Sequence, residues 1–273
     1  MDTFERDGLR FDVRDSGPRD GTGTVLLLHG FPQDGTAFDD VVPALHEAGL
    51  RTLVPDQRGY SPGARPSARS AYAMAETALD AVALLDAAGV RRAHVVGHDW
   101  GGATAWVLAA RHAERLTSLT ALSTPHPAAM AWAFTHSSQV ARSWYMAFFQ
   151  LPRLPERYAV RDLRRRLVDG GLPVDHATRY AERMQEPGAA TGALNWYRGM
   201  PTSFRTPTPA VAVPTTYVWG RDDFALGRAA AERTRRHVVG PYRFVELDAG
   251  HWLPETCPEQ VATVVLDQVR AVA

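Results

Sequence analysis

The chain has 273 residues with 30 basic and 30 acidic side chains, so no net field gathers nucleic acid or an anionic membrane. Hydrophobic residues make up 45% and charged ones 22%, the balance of a soluble globular enzyme, at a length that suits one α/β core with an insertion. Every basic residue is Arg, which excludes Schiff-base chemistry on lysine, and the single Cys257 excludes an internal disulfide or a thiolate metal cluster.

The first residues, Met1 to Arg10, are too charged for a signal peptide. No apolar run is long enough to span a bilayer, so a soluble cytoplasmic protein is expected. Asp7-Gly8 predicts the turn of an opening hairpin. Thr24-Val-Leu-Leu-Leu28 is a continuous apolar run, suited to a strand covered on both faces. Leu53-Val54 reads as the next strand. Ala71 to Ala88 has a helical period that stops at Gly89. Ala93 to Val96 is again a buried strand, Gly101 to Arg111 a helix, and Leu116 to Ser123 a further strand. Thr215 to Trp219 and Tyr242 to Leu247 follow as strands, and Pro258 to Val272 closes the chain as a helix. Strands alternating with helices imply βαβ crossovers and a mostly parallel sheet with helices on both faces.

One segment breaks the alternation. From 127 to 209 there is no buried-strand run, only aromatics, Arg clusters and helical stretches such as Ser138 to Phe149. This predicts a helical cap inserted into a core of residues 1–126 and 210–273. Thr206-Pro-Thr-Pro209 looks like the hinge back to the sheet.

The stretch that carries chemistry is Val95-Val-Gly-His-Asp-Trp-Gly-Gly102, between a predicted strand and a predicted helix. A nucleophile elbow needs small residues two positions either side of its apex, because the strand-to-helix turn leaves no room for side chains. Gly97 and Gly101 stand there, and Asp99 occupies the apex where a serine hydrolase has Ser. A carboxylate at a helix N-terminus stays ionised. The plainer reading is that Asp99 merely caps the helix. A covalent carboxylate mechanism also needs a base, an orienter for it and a hole for the oxyanion. His251 follows the last strand. Gly220-Arg-Asp-Asp223 follows the one before, and the order nucleophile, acid, His suits an elbow of this kind. The backbone N–H of Phe31, in His29-Gly-Phe-Pro32, could join that of Trp100 as the oxyanion hole.

Together these segments resemble the epoxide hydrolases of the α/β-hydrolase superfamily, near the haloalkane and fluoroacetate dehalogenases. The resemblance runs from His29-Gly-Phe-Pro32 through Asp56-Gln-Arg-Gly-Tyr-Ser-Pro-Gly63 and the elbow to Gly250-His-Trp252. It implies an α/β-hydrolase fold with a cap, and a small-molecule epoxide and water as partners. Neither metal nor organic cofactor is implied, nor any nucleic acid or membrane, and a homodimer is left open. It also implies two cap tyrosines that hydrogen-bond the epoxide oxygen. Tyr197 lies in Asn195-Trp-Tyr-Arg-Gly-Met200, which is similar to the family's second-tyrosine segment. Tyr145 lies in Trp144-Tyr-Met-Ala-Phe-Phe-Gln150, similar to the first. The alternative is that both rings simply pack the cap. The family spacing G-x-x-D selects Asp223 over Asp222 as the acid.

Other residues have plainer roles. The side chain of His98 should point off the far side of the elbow, and His126, like most of the histidines, reads as a packing or surface residue. Arg164-Arg-Arg166 reads as a solvated face, and Cys257 has no activating neighbours. A dehalogenase is the nearest rival. Haloalkane dehalogenases usually carry a polar residue where Phe31 stands, and fluoroacetate dehalogenases an Arg where Trp100 stands; both departures favour the epoxide. A ligand receptor on the same scaffold is the rival from another class. No Gly-x-Ser-x-Gly occurs at the elbow, which disfavours a serine esterase.

Overall fold

The computed structural model describes residues 1–272. The expected hairpin forms: β1 (Thr3–Arg6) and β2 (Leu9–Ser16) run antiparallel, with Asp7 and Gly8 both at positive φ in the turn. Six further strands follow, β3 (Gly23–Leu28), β4 (Leu50–Pro55), β5 (Ala93–His98), β6 (Leu116–Leu122), β7 (Thr215–Gly220) and β8 (Tyr242–Leu247). They are mutually parallel, and the sheet order is β1-β2-β4-β3-β5-β6-β7-β8. Strands β4, β5 and β7 are buried along their whole length because both faces are covered, and the polar residues they carry are paired, Arg51 with Asp15 at 2.7 Å, His94 with Ser118 at 2.8 Å and Thr216 with Gln268 at 2.6 Å.

The order reverses at β3, whose two neighbours are β4 on one side and β5 on the other. Chain segments leaving β3 and β5 therefore diverge, and the crevice between them lies at the carboxyl ends of these strands. His29 to Phe31 and Asp99 emerge into this crevice. Helices α1 (Val42–Glu47) and α2 (Met74–Ala87) precede α3 (Trp100–Arg111), which is buried over nearly all its length because Gly101, Gly102 and a run of alanines let it lie close to the sheet.

Between β6 and β7 stand seven helices: α4 (Pro127–His136), α5 (Gln139–Arg142), α6 (Trp144–Phe148), α7 (Leu154–Val160), α8 (Leu163–Asp169), α9 (Val174–Arg183) and α10 (Ala189–Ser203). Arg183 pairs with Asp56 at 2.5 Å and Arg65 with Glu186 at 3.1 Å, while the indole N–H of Trp196 donates to the Arg58 carbonyl at 2.7 Å. These contacts tie the helices to the loop that carries Asp56-Gln-Arg-Gly-Tyr60. Inside the segment Arg198 is nearly buried, gripping Glu156 with both terminal nitrogens and donating to the carbonyls of Phe149 and Leu151. After β7 come α11 (Arg228–Arg233), then α12 (Leu253–Thr256) and α13 (Pro258–Arg270) after β8. Among the described residues no helix is long and apolar enough to cross a membrane.

Two helices depart most from the sequence reading, and the closing helix, expected to run to Val272, ends at Arg270. The helix expected over 71–88 begins only at Met74, after a 3-10 turn over Arg69–Tyr72. Its first N–H group is met from another element, since Met74 N–H donates to Ser203 Oγ of α10. The helix expected over 138–149 is broken at Ser143 into α5 and α6. Gln139 is anchored to the Ala225 carbonyl and the Gly227 N–H, and Arg142 reaches the carbonyls of Asp223 and Phe224. Those tertiary bonds hold the first turn to the β7–α11 loop and let the second turn away.

Candidate active site

Asp99 sits at the turn from β5 into α3 with φ 50° and ψ −119°, a conformation costly for a residue with a Cβ. The turn is as crowded as its sequence implies. A Cβ on Gly97 would stand 2.4 Å from the Gly101 carbonyl oxygen, and one on Gly101 would stand 2.1 Å from that of Leu28. Asp99 stands at the N-cap position of α3, its carbonyl accepting the Ala103 N–H at 3.0 Å, but its side chain makes no capping bond, so the carboxylate is not engaged by the helix.

Its two oxygens face different groups. Oδ1 accepts the Phe31 N–H at 2.8 Å, and Oδ2 lies 3.5 Å from His251 Nε2. His251 Nδ1–H donates to Asp223 Oδ2 at 2.8 Å, and Asp223 Oδ1 accepts the N–H groups of Ala225 and Leu226 at 2.8 and 2.9 Å. Asp223 is thus fully tied and has no exposed side-chain surface, whereas Asp222 is exposed. Of the two N–H groups expected to form an oxyanion hole, that of Phe31 reaches Asp99, while that of Trp100 makes no hydrogen bond to this carboxylate.

The electrostatics follow from this packing. Burial opposes the charge on His251, but Asp223 and Asp99 outweigh it and push the imidazole up to about 10. Burial likewise opposes the charge on Asp99, and is outweighed by the hydrogen bond and charge of His251, the His98 ring and the Phe31 N–H, so its carboxyl is held below the ordinary value. At neutral pH the resting centre is an imidazolium between two carboxylates.

Tyr145 and Tyr197 line the same cavity as Asp99, His251 and Phe31, a space of about 390 Å³. Their rings meet edge to face at 5.9 Å, and Tyr197 also packs edge-on against Trp100 at 5.0 Å and Phe31 at 5.2 Å. Among the described residues neither hydroxyl donates to a carbonyl or carboxylate. Burial, reinforced by the negative Asp99, drives the Tyr145 phenol far above its ordinary value. Tyr197 is raised by burial, then by Tyr145 and Asp99. Both are therefore neutral O–H donors.

His98 points away from the cavity, as expected, but is engaged beneath it: Nδ1 lies 2.8 Å from Gln33 Oε1 and Nε2 lies 2.8 Å from the His251 carbonyl oxygen. His126 is a buried packing residue that stacks on His237 and bonds to the Pro209 carbonyl. The Arg164–Arg166 run is only partly the solvated face expected. Arg164 and Arg165 are exposed, but Arg166 turns inward over the Tyr158 ring, 3.7 Å from its centroid, and lines the cavity. The sequence reading missed Gln33, Glu255 and Tyr180, which make a buried network under the site. The only local signal was position, Gln33 directly after Pro32 and Glu255 four residues after His251.

Comparison with known proteins adds the following. The model of the alpha/beta hydrolase fold family matches residues 23–258. An AB hydrolase superfamily protein of Bacillus subtilis is 32% identical over 96% of this chain and 95% of its own. Epoxide hydrolase A of Mycobacterium tuberculosis is likewise 32% identical, over 96% of this chain and 95% of its own. The crystal structure of epoxide hydrolase A from Mycobacterium thermoresistibile superposes with a TM-score of 0.85 at 26% identity, covering 98% of this chain and 97% of that one.

Proposed function

Since the chain belongs to the alpha/beta hydrolase fold family, we propose that it opens epoxides to vicinal diols through a covalent ester on Asp99. One observation carries this reading: the two oxygens of Asp99 are divided between the Phe31 N–H and His251, opposite two neutral phenols in one cavity. Relatives named epoxide hydrolases, matched over nearly the full chain, support the same substrate class. In this reading the helices of residues 127–209 are the cap, and they supply both phenols.

In the first step Oδ2 of Asp99 attacks an epoxide carbon and the C–O bond breaks. The electron pair goes to the ring oxygen, which takes a proton from Tyr145 or Tyr197. An alkoxide is a poor leaving group in neutral water, so this donation is what lowers the barrier. Forming the ester removes the charge of Asp99, one of the two carboxylates that hold the proton on His251. The imidazolium then gives up that proton, which balances the one supplied by the phenol. Only now is His251, still oriented by Asp223, a free base.

In the second step His251 takes a proton from water, and the hydroxide attacks the Asp99 carbonyl carbon. Negative charge develops on Oδ1, already against the Phe31 N–H, with the Trp100 N–H as the second donor once the oxygen moves toward it. Collapse breaks the ester C–O bond, the departing alkoxide takes the remaining proton of the attacking water and leaves as the diol, and Asp99 returns as a carboxylate beside the imidazolium. The test is to incubate the protein with a panel of epoxides and haloalkanes and to score diol against halide. Diol supports the reading. Halide makes the chain a dehalogenase, and binding with neither product makes it a receptor.

A further inference from the structure

Beneath the cavity lies a group that the scheme above does not use. Glu255, on the short helix α12, is buried. Its Oε1 accepts the Gln33 side-chain N–H at 2.6 Å and the Tyr180 hydroxyl at 2.9 Å, while Oε2 is buried without a partner. Gln33 is fully buried, and its own oxygen accepts the Gly30 N–H at 2.7 Å and faces His98 Nδ1 at 2.8 Å. The other side of the His98 ring meets the His251 carbonyl, which also accepts the Ser123 hydroxyl at 2.8 Å. One chain of contacts thus joins α9, α12, the loop bearing Phe31, the residue before Asp99 and the backbone of His251.

We propose that Glu255 is a positioning residue: by fixing the Gln33 amide it holds the Gly30–Phe31 peptide against Asp99 and the His98–His251 contact in register, and through Tyr180 it makes that alignment depend on helix α9 being seated. Geometry supports this over a packing role. Gln33 can present its oxygen to Gly30 N–H only while its nitrogen has an acceptor on the other side, and Glu255 is that acceptor. A side chain that merely filled space would not leave one buried oxygen without a partner, an arrangement that costs stability. It is also the kind of group that helps only when every other member of the network is in place.

The charged groups around Glu255 are the imidazolium of His251 and Asp34, which faces Tyr180 and lies 4.0 Å from Arg183; the His98 ring, lowered to about 4 mainly by burial, is uncharged near neutrality. Burial pushes the Glu255 carboxyl up to about 7 against the pull of Gln33 and Tyr180, so the group is largely neutral below that pH. A neutral carboxyl and a primary amide present the same carbonyl oxygen. Glu255→Gln therefore keeps both accepted hydrogen bonds, and Glu255→Leu keeps the volume but loses both.

The inference rests on the epoxide reading, and the experiment separates the two. Wild type, E255L, E255Q and Y180F are assayed on one epoxide across pH, with hydrogen–deuterium exchange of the peptide spanning residues 28–34 measured on the same samples. Slackening a reacting geometry by a fraction of an ångström to about 1 Å costs from about tenfold to 10²-fold. E255L is expected to lose kcat by at least about tenfold with KM nearly unchanged, and to exchange faster at Gly30 and Phe31. E255Q should recover kcat to within about threefold and wild-type exchange, while losing an inflection near pH 7 that the wild type shows. Y180F should fall between them. Wild-type kcat and exchange in E255L overturn the proposal, as does an E255Q variant as impaired as E255L. If the wild type turns over no epoxide, the functional reading fails by itself, and the exchange arm still decides whether Glu255 holds the loop.

Discussion

The Phe31 N–H donates to Asp99 Oδ1 at 2.8 Å, and this bond leaves Oδ2 as the oxygen that faces His251, 3.5 Å from its Nε2. Oδ1 is held where charge would develop during ester hydrolysis, and Oδ2 is left facing the cavity and His251. The proposed scheme therefore assigns the attack to Oδ2. Asp99→Ala should abolish diol formation while the fold survives. A single wild-type turnover in heavy-oxygen water should place label in the Asp99 carboxylate before the diol carries any. Label arriving first in the diol would mean direct attack by water on the epoxide.

Removing the base should divide the reaction in two. Alkylation needs the Asp99 carboxylate, which His251→Gln leaves in place, while hydrolysis of the ester needs the base. The variant should accumulate an adduct on the Asp99 peptide, visible by mass spectrometry, with steady-state turnover reduced at least about 10³-fold. An unmodified Asp99 peptide after exposure to a substrate of the wild type would give His251 another role.

The two phenols carry the distinction between epoxide and halide. Tyr145→Phe and Tyr197→Phe should each slow alkylation by about 10²-fold, as loss of one donor does in an oxyanion-type site, and the double variant should be close to inactive. Hydrolysis of an ester already formed should change little, because neither ring touches the His251–Asp223 pair by hydrogen bond. Wild-type rates in both single variants would reduce the tyrosines to packing and reopen the dehalogenase reading.

Stability should carry the signature of the ion pair. The folded-state pKa of His251, about 10, lies above its ordinary 6.5, because Asp223 and Asp99 favour the imidazolium over the cost of burying it. A group raised in this way contributes fully below its unfolded pKa, and the contribution fades as pH rises through the folded one. Urea unfolding of wild type and His251→Gln should therefore show the largest gap below about pH 6.5, closing steadily toward pH 10. A gap that widened with pH would mean that the buried ring is neutral.

Much of this was already legible along the chain. All eight strands could be located from apolar runs and turn residues, most plainly β3, where the successive aliphatic side chains Val25 to Leu28 need cover on both faces. The elbow was legible because its glycines are demanded by clashes with the backbone only a few residues away. His251 and the Asp222-Asp223 pair were legible from their positions after β8 and β7, while the choice of Asp223 over its neighbour came from the family spacing. What the sequence could not show were relationships between side chains far apart in the chain. Gln33 and Glu255 are 222 positions apart, and Tyr180 comes from a helix whose place over the core is set by ion pairs such as Arg183–Asp56. Nor could the sequence show that Oδ1 and Oδ2 of Asp99 have different partners, or that Arg166 turns inward from an otherwise exposed run. Local pattern determines which face of an element is apolar and where the chain must turn. Hydrogen bonds across elements are decided only when those elements pack, because each polar atom then takes whichever partner the tertiary structure brings within about 3 Å.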